Sequence, residues 1–293
     1  MKKVILYYKY IKIDHPLALK NSQFKICKRL NLKGRVIISQ EGINGTLSGK
    51  LADIEEYKKE LISNALFSDI IFKESSIKED LFPRLSIKVR DEIVSLNQKI
   101  DITTDGAKKG EYISPEDFHK IILENSNDTV IIDARNNYES YIGRFKNSIT
   151  PNIDNFRDFP KVINDLKKYK GKKIVMYCTG GVRCEKASAF LLKKGFKNIY
   201  QLKEGILNYA NYYPEDFEGK CYVFDKRVSI NLDAKNRTII SKCRHCNEYS
   251  DQYINCQNKK CNLQFVCCNV CEKKFHHTCS LECIDIVIQV QSK

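Results

Sequence analysis

One thiol stands where parallel-sheet proteins place reactive groups. The segment IVMYCTGGVRCEKASAF, residues 174–190, runs from an apolar stretch through Cys178 into a helix-like segment. The thiolate is the nucleophilic form of cysteine, whereas a free thiol, with a pKa of about 8.5, is mostly protonated at neutral pH. A curved loop with inward N–H groups, a helix start and the charge of Arg183 at the loop mouth would each favour the thiolate. We therefore predict catalytic roles for Cys178 and Arg183. The loop backbone comprises Thr179, Gly180, Gly181 and Val182.

The spacing of this loop limits its chemistry. Cys178 and Arg183 form a C-x4-R pattern, one residue shorter than the C-x5-R loop with which cysteine phosphatases hold phosphate. The smaller ring suits a sulfur atom carried on cysteine as a persulfide. The competing interpretation of Cys178 is a buried cysteine at a strand end. Cys184 is either a thiol that resolves a persulfide or disulfide on Cys178, or a packed residue of the first helical turn.

The cysteines near the end of the chain predict metal binding. Nine of the thirteen fall between Cys243 and Cys283, and only three lie in the first 220 residues. Secreted proteins spread disulfides through the fold, whereas clustered thiols at CxxC-like spacing are typical of metal ligands in a reducing compartment. Four short pairs suit two tetrahedral, structural zinc sites, whose pairing order the spacing leaves open. The predicted ligands are Cys243, Cys246, Cys256, Cys261, Cys268, Cys271, Cys279 and Cys283, with Cys267 as the alternative to Cys268 and with His276 and His277 as possible replacements.

Composition and charge narrow the class of protein. With 42% hydrophobic and 29% charged residues, the composition is ordinary for a soluble protein. The net charge of +14 favours an anionic partner, nucleic acid first. The alternative is a general excess of lysine on solvated faces. No apolar stretch reaches about 18 residues, so we expect no membrane span. The first residues are interpreted as a β-strand of a cytoplasmic protein, and no motif for an organic cofactor is present.

Patterning divides the chain into three regions. Residues 1–95 alternate as βαββαβ with one additional strand, which predicts a basic ferredoxin-like (acylphosphatase-like) α+β domain. Polar residues 96–112 are interpreted as a linker, and EGINGT (41–46) as a glycine-rich turn. From 113 to 218, short apolar strands alternate with helices, including one over 155–169, which predicts an α/β domain with a parallel sheet. Residues 219–293 form the Cys-rich region.

Four segments together resemble a known family. They are ISQEGINGTLSG, DARNNYESYIGRFKNSITPN, YCTGGVRCEKASAFL and GKCYVFDKRVSI, and they span residues from about 35 to 232. In this order they resemble the bacterial tRNA uridine hydroxylase family, and the middle two resemble the rhodanese domain. The resemblance identifies Cys178 as the active residue and Arg183 as the loop arginine. Asp133 and Arg135, which close a strand, join Cys184 as auxiliary candidates.

The resemblance implies a reaction that the spacing alone does not indicate. Members of the family use O2 as co-substrate to make 5-hydroxyuridine at the wobble position of tRNA anticodons, so tRNA is the expected partner. The electron donor is unknown. Two alternatives stay open: a persulfide sulfurtransferase acting in tRNA thiolation or sulfur relay, and a non-catalytic RNA-binding module. The resemblance also implies a role for the basic N-terminal domain, which would hold the tRNA backbone by phosphate contacts.

Overall fold

The N-terminal part of the chain forms a five-stranded sheet with two helices. The computed structural model describes residues 1–104, 107–233, 235 and 237–291. The first elements are β1 (Lys2–Tyr10), α1 (Pro16–Arg29), β2 (Lys33–Ser39), β3 (Gly42–Lys50), α2 (Leu51–Ile62), β4 (Phe72–Ile77) and β5 (Leu85–Val89). The strand order is β4-β1-β3-β2-β5, antiparallel except for the β2–β5 pair. This arrangement confirms the predicted ferredoxin-like domain with one additional strand.

The helices of this domain cover one face of the sheet because their apolar residues recur at helical spacing. Ile54, Tyr57 and Leu61 lie three and four residues apart on α2, and all three are buried. They pack in one cluster with Ile5 and Tyr7 of β1. The opposite face of the sheet is therefore left for contact with the rest of the chain.

The segment EGINGT is a strand rather than a turn. β3 begins at Gly42, and among Gly42, Asn44 and Gly45 only Gly42 has a positive φ, 147°. Gly45 lies opposite Tyr7 of β1, and a Cβ there would approach Tyr7 Cζ to 2.4 Å. The prediction of a turn was wrong. The prediction attributed the glycine at position 45 to a turn, whereas that glycine leaves room for a buried ring on the neighbouring strand.

The central part of the chain forms a four-stranded parallel sheet flanked by helices. Its elements are β6 (Glu111–Ile113), α3 (Pro115–Glu124), β7 (Thr129–Asp133), α4 (Asn137–Ile142), β8 (Gly143–Phe145), α5 (Ile163–Leu166), β9 (Lys173–Tyr177), α6 (Val182–Lys193), β10 (Ile199–Leu202) and α7 (Gly205–Tyr209). The order is β6-β10-β9-β7, and every pair is parallel. The predicted parallel α/β domain is therefore confirmed, and the carboxyl ends of its strands share one edge.

The helix expected over 155–169 is mostly a 3₁₀-helix, so that prediction was wrong. The segment Phe156–Val162 is 3₁₀, α5 adds only four residues, and Lys167–Tyr169 is 3₁₀ again. Pro160 lacks an amide hydrogen and disfavours an α-helical interior. The buried residues Phe156, Phe159 and Val162 recur every three positions, which matches three residues per turn.

The remaining strands and helices follow the parallel sheet and make up most of the Cys-rich region. They are β11 (Phe217–Gly219), β12 (Cys221–Tyr222), β13 (Ser229–Ile230), β14 (Tyr253–Asn255), β15 (Gln264–Val266), α8 (Asn269–Lys274) and α9 (Leu281–Gln291). β11 pairs with β8 and itself spans the proposed boundary at 218/219. β6 begins inside the linker proposed for 96–112. Residues 105 and 106 of that linker lie outside the described residues. We retain the domain boundaries as a proposal.

Candidate active site and metal centres

Cys178 lies at the carboxyl edge of the parallel sheet. β9 ends at Tyr177, and α6 begins at Val182, so the intervening loop reverses the chain within four residues. Gly181 makes this possible with a φ of 99°, a conformation that favours glycine. The amides of Ile206 and Leu207 donate to the carbonyl oxygens of Cys178 and Thr179, at 3.0 and 3.1 Å. The start of α7 thus holds the loop in place.

The surroundings of the Cys178 sulfur stabilise its thiolate. Burial by itself raises the pKa of the thiol, but a hydrogen bond from the Cys184 thiol, the charge of Arg183 and backbone N–H groups outweigh it. Those N–H groups belong to Arg183 and Cys184, and the backbone N–H of Gly181 also donates to Cys178 Sγ, at 3.1 Å. The net effect lowers the pKa of Cys178 to about 5, so the side chain is an anion at neutral pH.

Cys184 is the protonated member of this thiol pair. It is fully buried in the first turn of α6. Burial, followed by its hydrogen bond to Cys178 and the negative charge there, raises its pKa well above the ordinary value. A neutral Cys184 can donate to the Cys178 thiolate, which is consistent with both sequence-based interpretations, the packed residue and the resolving thiol.

Arg183 is buried next to the loop and lines the same cavity as Cys178. Only 6% of the residue is exposed, and its guanidinium forms a two-pronged ion pair with Glu139. The Nη2–Oε1 distance is 2.8 Å, and Nη2 also donates to Thr179 Oγ1 at 3.3 Å. Arg183 therefore fixes the loop and supplies positive charge near the Cys178 sulfur.

Sequence reasoning missed Glu139, which is fully buried. It is the third residue of α4, and its Oε2 accepts from the backbone N–H of Asn136. The N-x-x-E spacing at 136–139 is a helix-start signal that would have located it. Although burial alone raises a carboxyl pKa, Arg183 and Arg135 lower that of Glu139, so the carboxylate stays ionised.

Asp133 and Arg135 form a fully buried ion pair at the end of β7. Arg135 Nη2 donates to Asp133 Oδ2 at 2.6 Å and to the Gly143 carbonyl oxygen at 2.7 Å. The Tyr177 hydroxyl also donates to Asp133 Oδ2, at 2.8 Å. These contacts tie the end of β7 to the end of β9. The pair contacts neighbouring strands rather than the space above Cys178, which fits an auxiliary, positioning role.

Eight cysteines form two groups of four. Within each group the sulfur atoms lie within 4.8 Å of one another. The first group comprises Cys243, Cys246, Cys268 and Cys271, and the second comprises Cys256, Cys261, Cys279 and Cys283. The pairs are interleaved along the chain, an order that the spacing had left open. Cys267 belongs to neither group, and no histidine among the described residues joins them.

The geometry of both groups suits a tetrahedral metal such as zinc. Zinc–sulfur bonds of about 2.3 Å place tetrahedral sulfurs about 3.8 Å apart. Cys246 and Cys268 Sγ lie 3.7 Å apart, and Cys261 and Cys279 Sγ lie 3.6 Å apart. Four thiolates close the coordination sphere, so each metal would stabilise the fold of a region with little apolar core.

Matches to known proteins cover almost the whole chain. Residues 2–93 match a model described as the UPF0176 acylphosphatase like domain, residues 114–212 the rhodanese-like domain, and residues 218–284 the rhodanase C-terminal model.

No helix within the described ranges has both the length and the apolar character needed to cross a membrane.

Three curated relatives carry the same name, tRNA uridine(34) hydroxylase. The protein of Aster yellows witches'-broom phytoplasma is 44% identical over 96% of this chain and 91% of its own length. The protein of Bacillus licheniformis is 40% identical over 96% of this chain and 88% of its own. The protein of Cytophaga hutchinsonii is 41% identical over 96% of this chain and 89% of its own.

Proposed function

The chain belongs to the tRNA uridine(34) hydroxylase family, and from that premise we propose that it hydroxylates C5 of the wobble uridine of tRNA, with Cys178 as its reactive residue. The observation that carries this proposal is the buried Cys178 thiolate at the carboxyl edge of the parallel sheet, with a pKa of about 5. Arg183, Cys184 and the loop backbone keep that sulfur anionic and fixed. Asp133, Arg135 and Glu139 position the loop from below.

The reaction that we propose consumes O2, two electrons and two protons for each uridine. One oxygen atom becomes the hydroxyl group on C5, and the other leaves as water. The electrons come from an external two-electron donor. This chain's residues bind the nucleotide, keep the Cys178 sulfur deprotonated and exclude water from it. The two metal centres, which we propose hold zinc, have no open coordination position and play a structural part.

The basic character of the chain supports tRNA as the partner. The net charge is +14, and the first 95 residues alone carry 18 Lys and Arg against 12 Asp and Glu. Phosphate groups are the most abundant anions of an RNA, and Lys and Arg contacts to them supply most of the non-specific affinity. We place the enzyme in the cytoplasm, where its substrate is.

An in vitro reaction separates this function from sulfur transfer. Purified protein is incubated with unmodified tRNA, a thiol reductant and O2 enriched in a heavy oxygen isotope, and the nucleosides are analysed by mass spectrometry. We expect labelled 5-hydroxyuridine from the wild type and none from Cys178→Ser. Sustained turnover with thiosulfate and cyanide, together with unmodified uridine, would refute hydroxylation and identify a sulfurtransferase.

A further inference from the structure

A cavity of about 440 Å³ lies over the Cys178 loop, between the N-terminal domain and the parallel α/β domain. Cys178, Thr179 and Gly180 line it on one side, and residues of β2 and β3 line it on the other. Its volume is within the range of about 300–1,000 Å³ that is typical of small-molecule pockets. One nucleotide, unlike a folded RNA helix, is small enough to enter it.

Three arginines surround this cavity without carboxylate partners. Arg35 lies on β2, Arg90 follows β5, and Arg157 lies in the 3₁₀ segment before α5, so both domains contribute. All three are exposed, and within the described residues none has an Asp or Glu oxygen within 4.0 Å. Guanidinium groups bind phosphate oxygens through two parallel hydrogen bonds. The mouth of the cavity is therefore suited to phosphate groups.

An exposed aromatic ring also lines the cavity. Phe224 is 48% exposed, so its ring is open to contact with a ligand. Its ring lies 5.9 Å from the guanidinium carbon of Arg183, which connects it to the support of the loop. Unstacked bases bind proteins by stacking on such rings, with a contribution of about 1–3 kcal/mol per base.

From these contacts we propose that the cavity is a pocket for a single flipped-out nucleotide of the anticodon loop. The uracil base enters towards Cys178 and stacks on Phe224, while Arg35, Arg90 and Arg157 bind the phosphates on either side of it. Enzymes that modify a base take it out of the stack because its reactive atom is otherwise inaccessible. This inference rests on the proposed function, and it adds the residues that select and hold the substrate.

Asn44 supplies a means of recognising uracil in this pocket. It lines the cavity from the middle of β3, and its Nδ2 donates to the Ile93 carbonyl oxygen at 3.2 Å. That hydrogen bond orients the amide and leaves Oδ1 as an acceptor, since no donor to Oδ1 is found among the described residues. Uracil presents a donor at N3, whereas cytosine presents an acceptor. The Asn44 oxygen therefore favours uracil.

The phosphate contacts are tested by binding of an anticodon stem-loop RNA across a range of salt concentrations, without oxygen. We expect Arg35→Gln, Arg90→Gln and Arg157→Gln each to raise the Kd roughly ten-fold. Each should also reduce the slope of log K against log salt by about 0.7. Arg29→Gln is the matched control, because Arg29 is equally charged but pairs with Glu60 on α2. Equal weakening by all four variants would overturn the pocket, as would no weakening by the first three.

The role of Asn44 is tested with stem-loops that differ only in U or C at position 34. We expect Asn44→Ala to lose most of the preference for U34, roughly ten-fold, and Asn44→Asp to retain part of it, because a carboxylate still accepts from N3 although it no longer donates to the Ile93 carbonyl oxygen. An unchanged preference in Asn44→Ala, or an equal loss in both variants, would refute this role. A wild-type protein that binds RNA in this way but hydroxylates nothing would refute the proposed function and leave the pocket standing.

Discussion

At the scale of single residues, the account depends on the charge of Cys178. A pKa lowered to about 5 means that the thiolate is present above that pH and is lost as the pH falls through it. Cys184 contributes by donating a hydrogen bond to the sulfur. In Cys184→Ala that donor is gone, so we expect the pKa of Cys178 to rise towards the ordinary value.

This shift is measured as thiolate absorbance in the ultraviolet across pH, as a difference from the Cys178→Ser protein, which removes the signal of the other cysteines. The same shift should appear in the rising limb of the kcat/KM profile. Identical profiles for the wild type and Cys184→Ala would show that Cys184 is only a packed residue.

The sequence indicated Cys178 as the candidate thiol but not all of the residues that support its loop. Cys178, the glycine pair and Arg183 are neighbours in the chain, so their spacing was enough to indicate a loop of the right size. Glu139 is 44 positions from Arg183, and only the fold brings the two side chains together. The burial of Arg183 in an ion pair with Glu139 could for that reason not be predicted from the spacing.

At the scale of elements, one buried lysine joins α6 to the N-terminal domain. Lys186 is 1% exposed, and its Nζ lies 2.8 Å from Glu41 Oε1 and 2.5 Å from Glu92 Oε2. Glu41 precedes β3, and Glu92 follows β5. The ammonium group therefore holds the two walls of the nucleotide pocket together.

We expect Lys186→Met to reduce the free energy of unfolding by roughly 3 kcal/mol, because it leaves two partly buried carboxylates without their cation. Urea denaturation measures this change. Lys161→Met is the control: Lys161 pairs with Asp158, is largely exposed and should change stability by at most about 1 kcal/mol. Equal, small effects of both substitutions would contradict a linking role for Lys186.

The succession of strands and helices along the chain followed from the sequence because apolar alternation and helical spacing are local signals. The strand at EGINGT could not be predicted in this way, because Gly45 is required by its close contact with Tyr7 on the neighbouring strand. The same limit applied to Lys186, whose two partners lie 145 and 94 positions away and carry no sequence signature.

At the scale of the whole molecule, the Cys-rich region supports the active loop from outside. The Tyr253 hydroxyl donates to the Tyr138 carbonyl oxygen at 2.5 Å, and the Tyr141 hydroxyl donates to that of Lys242 at 3.0 Å. Tyr138 and Tyr141 belong to α4, the helix that carries Glu139. Metal bound at the cysteine groups would thereby be connected to the Arg183–Glu139 ion pair.

We therefore expect removal of metal from the two cysteine groups to lower hydroxylation, although none of their eight cysteines lines the cavity. We expect Cys268→Ser to lose one of the two bound zinc ions and much of the activity, whereas Cys267→Ser, its neighbour outside both groups, keeps both. Metal analysis of the purified variants decides the point. Loss of zinc from Cys267→Ser alone would reverse the ligand assignment.

The interleaved pairing could not be predicted, because spacing along the chain does not record which pairs meet in space.

The proposed modification of tRNA requires the Cys178 thiolate. The most direct test of this requirement is mass spectrometry of tRNA nucleosides from cells that lack this gene and carry the wild type, Cys178→Ser or, as a control, Cys27→Ser, which alters another fully buried cysteine. We predict 5-hydroxyuridine with the wild type and Cys27→Ser and none with Cys178→Ser at equal protein levels. Wild-type amounts of 5-hydroxyuridine with Cys178→Ser would contradict the account.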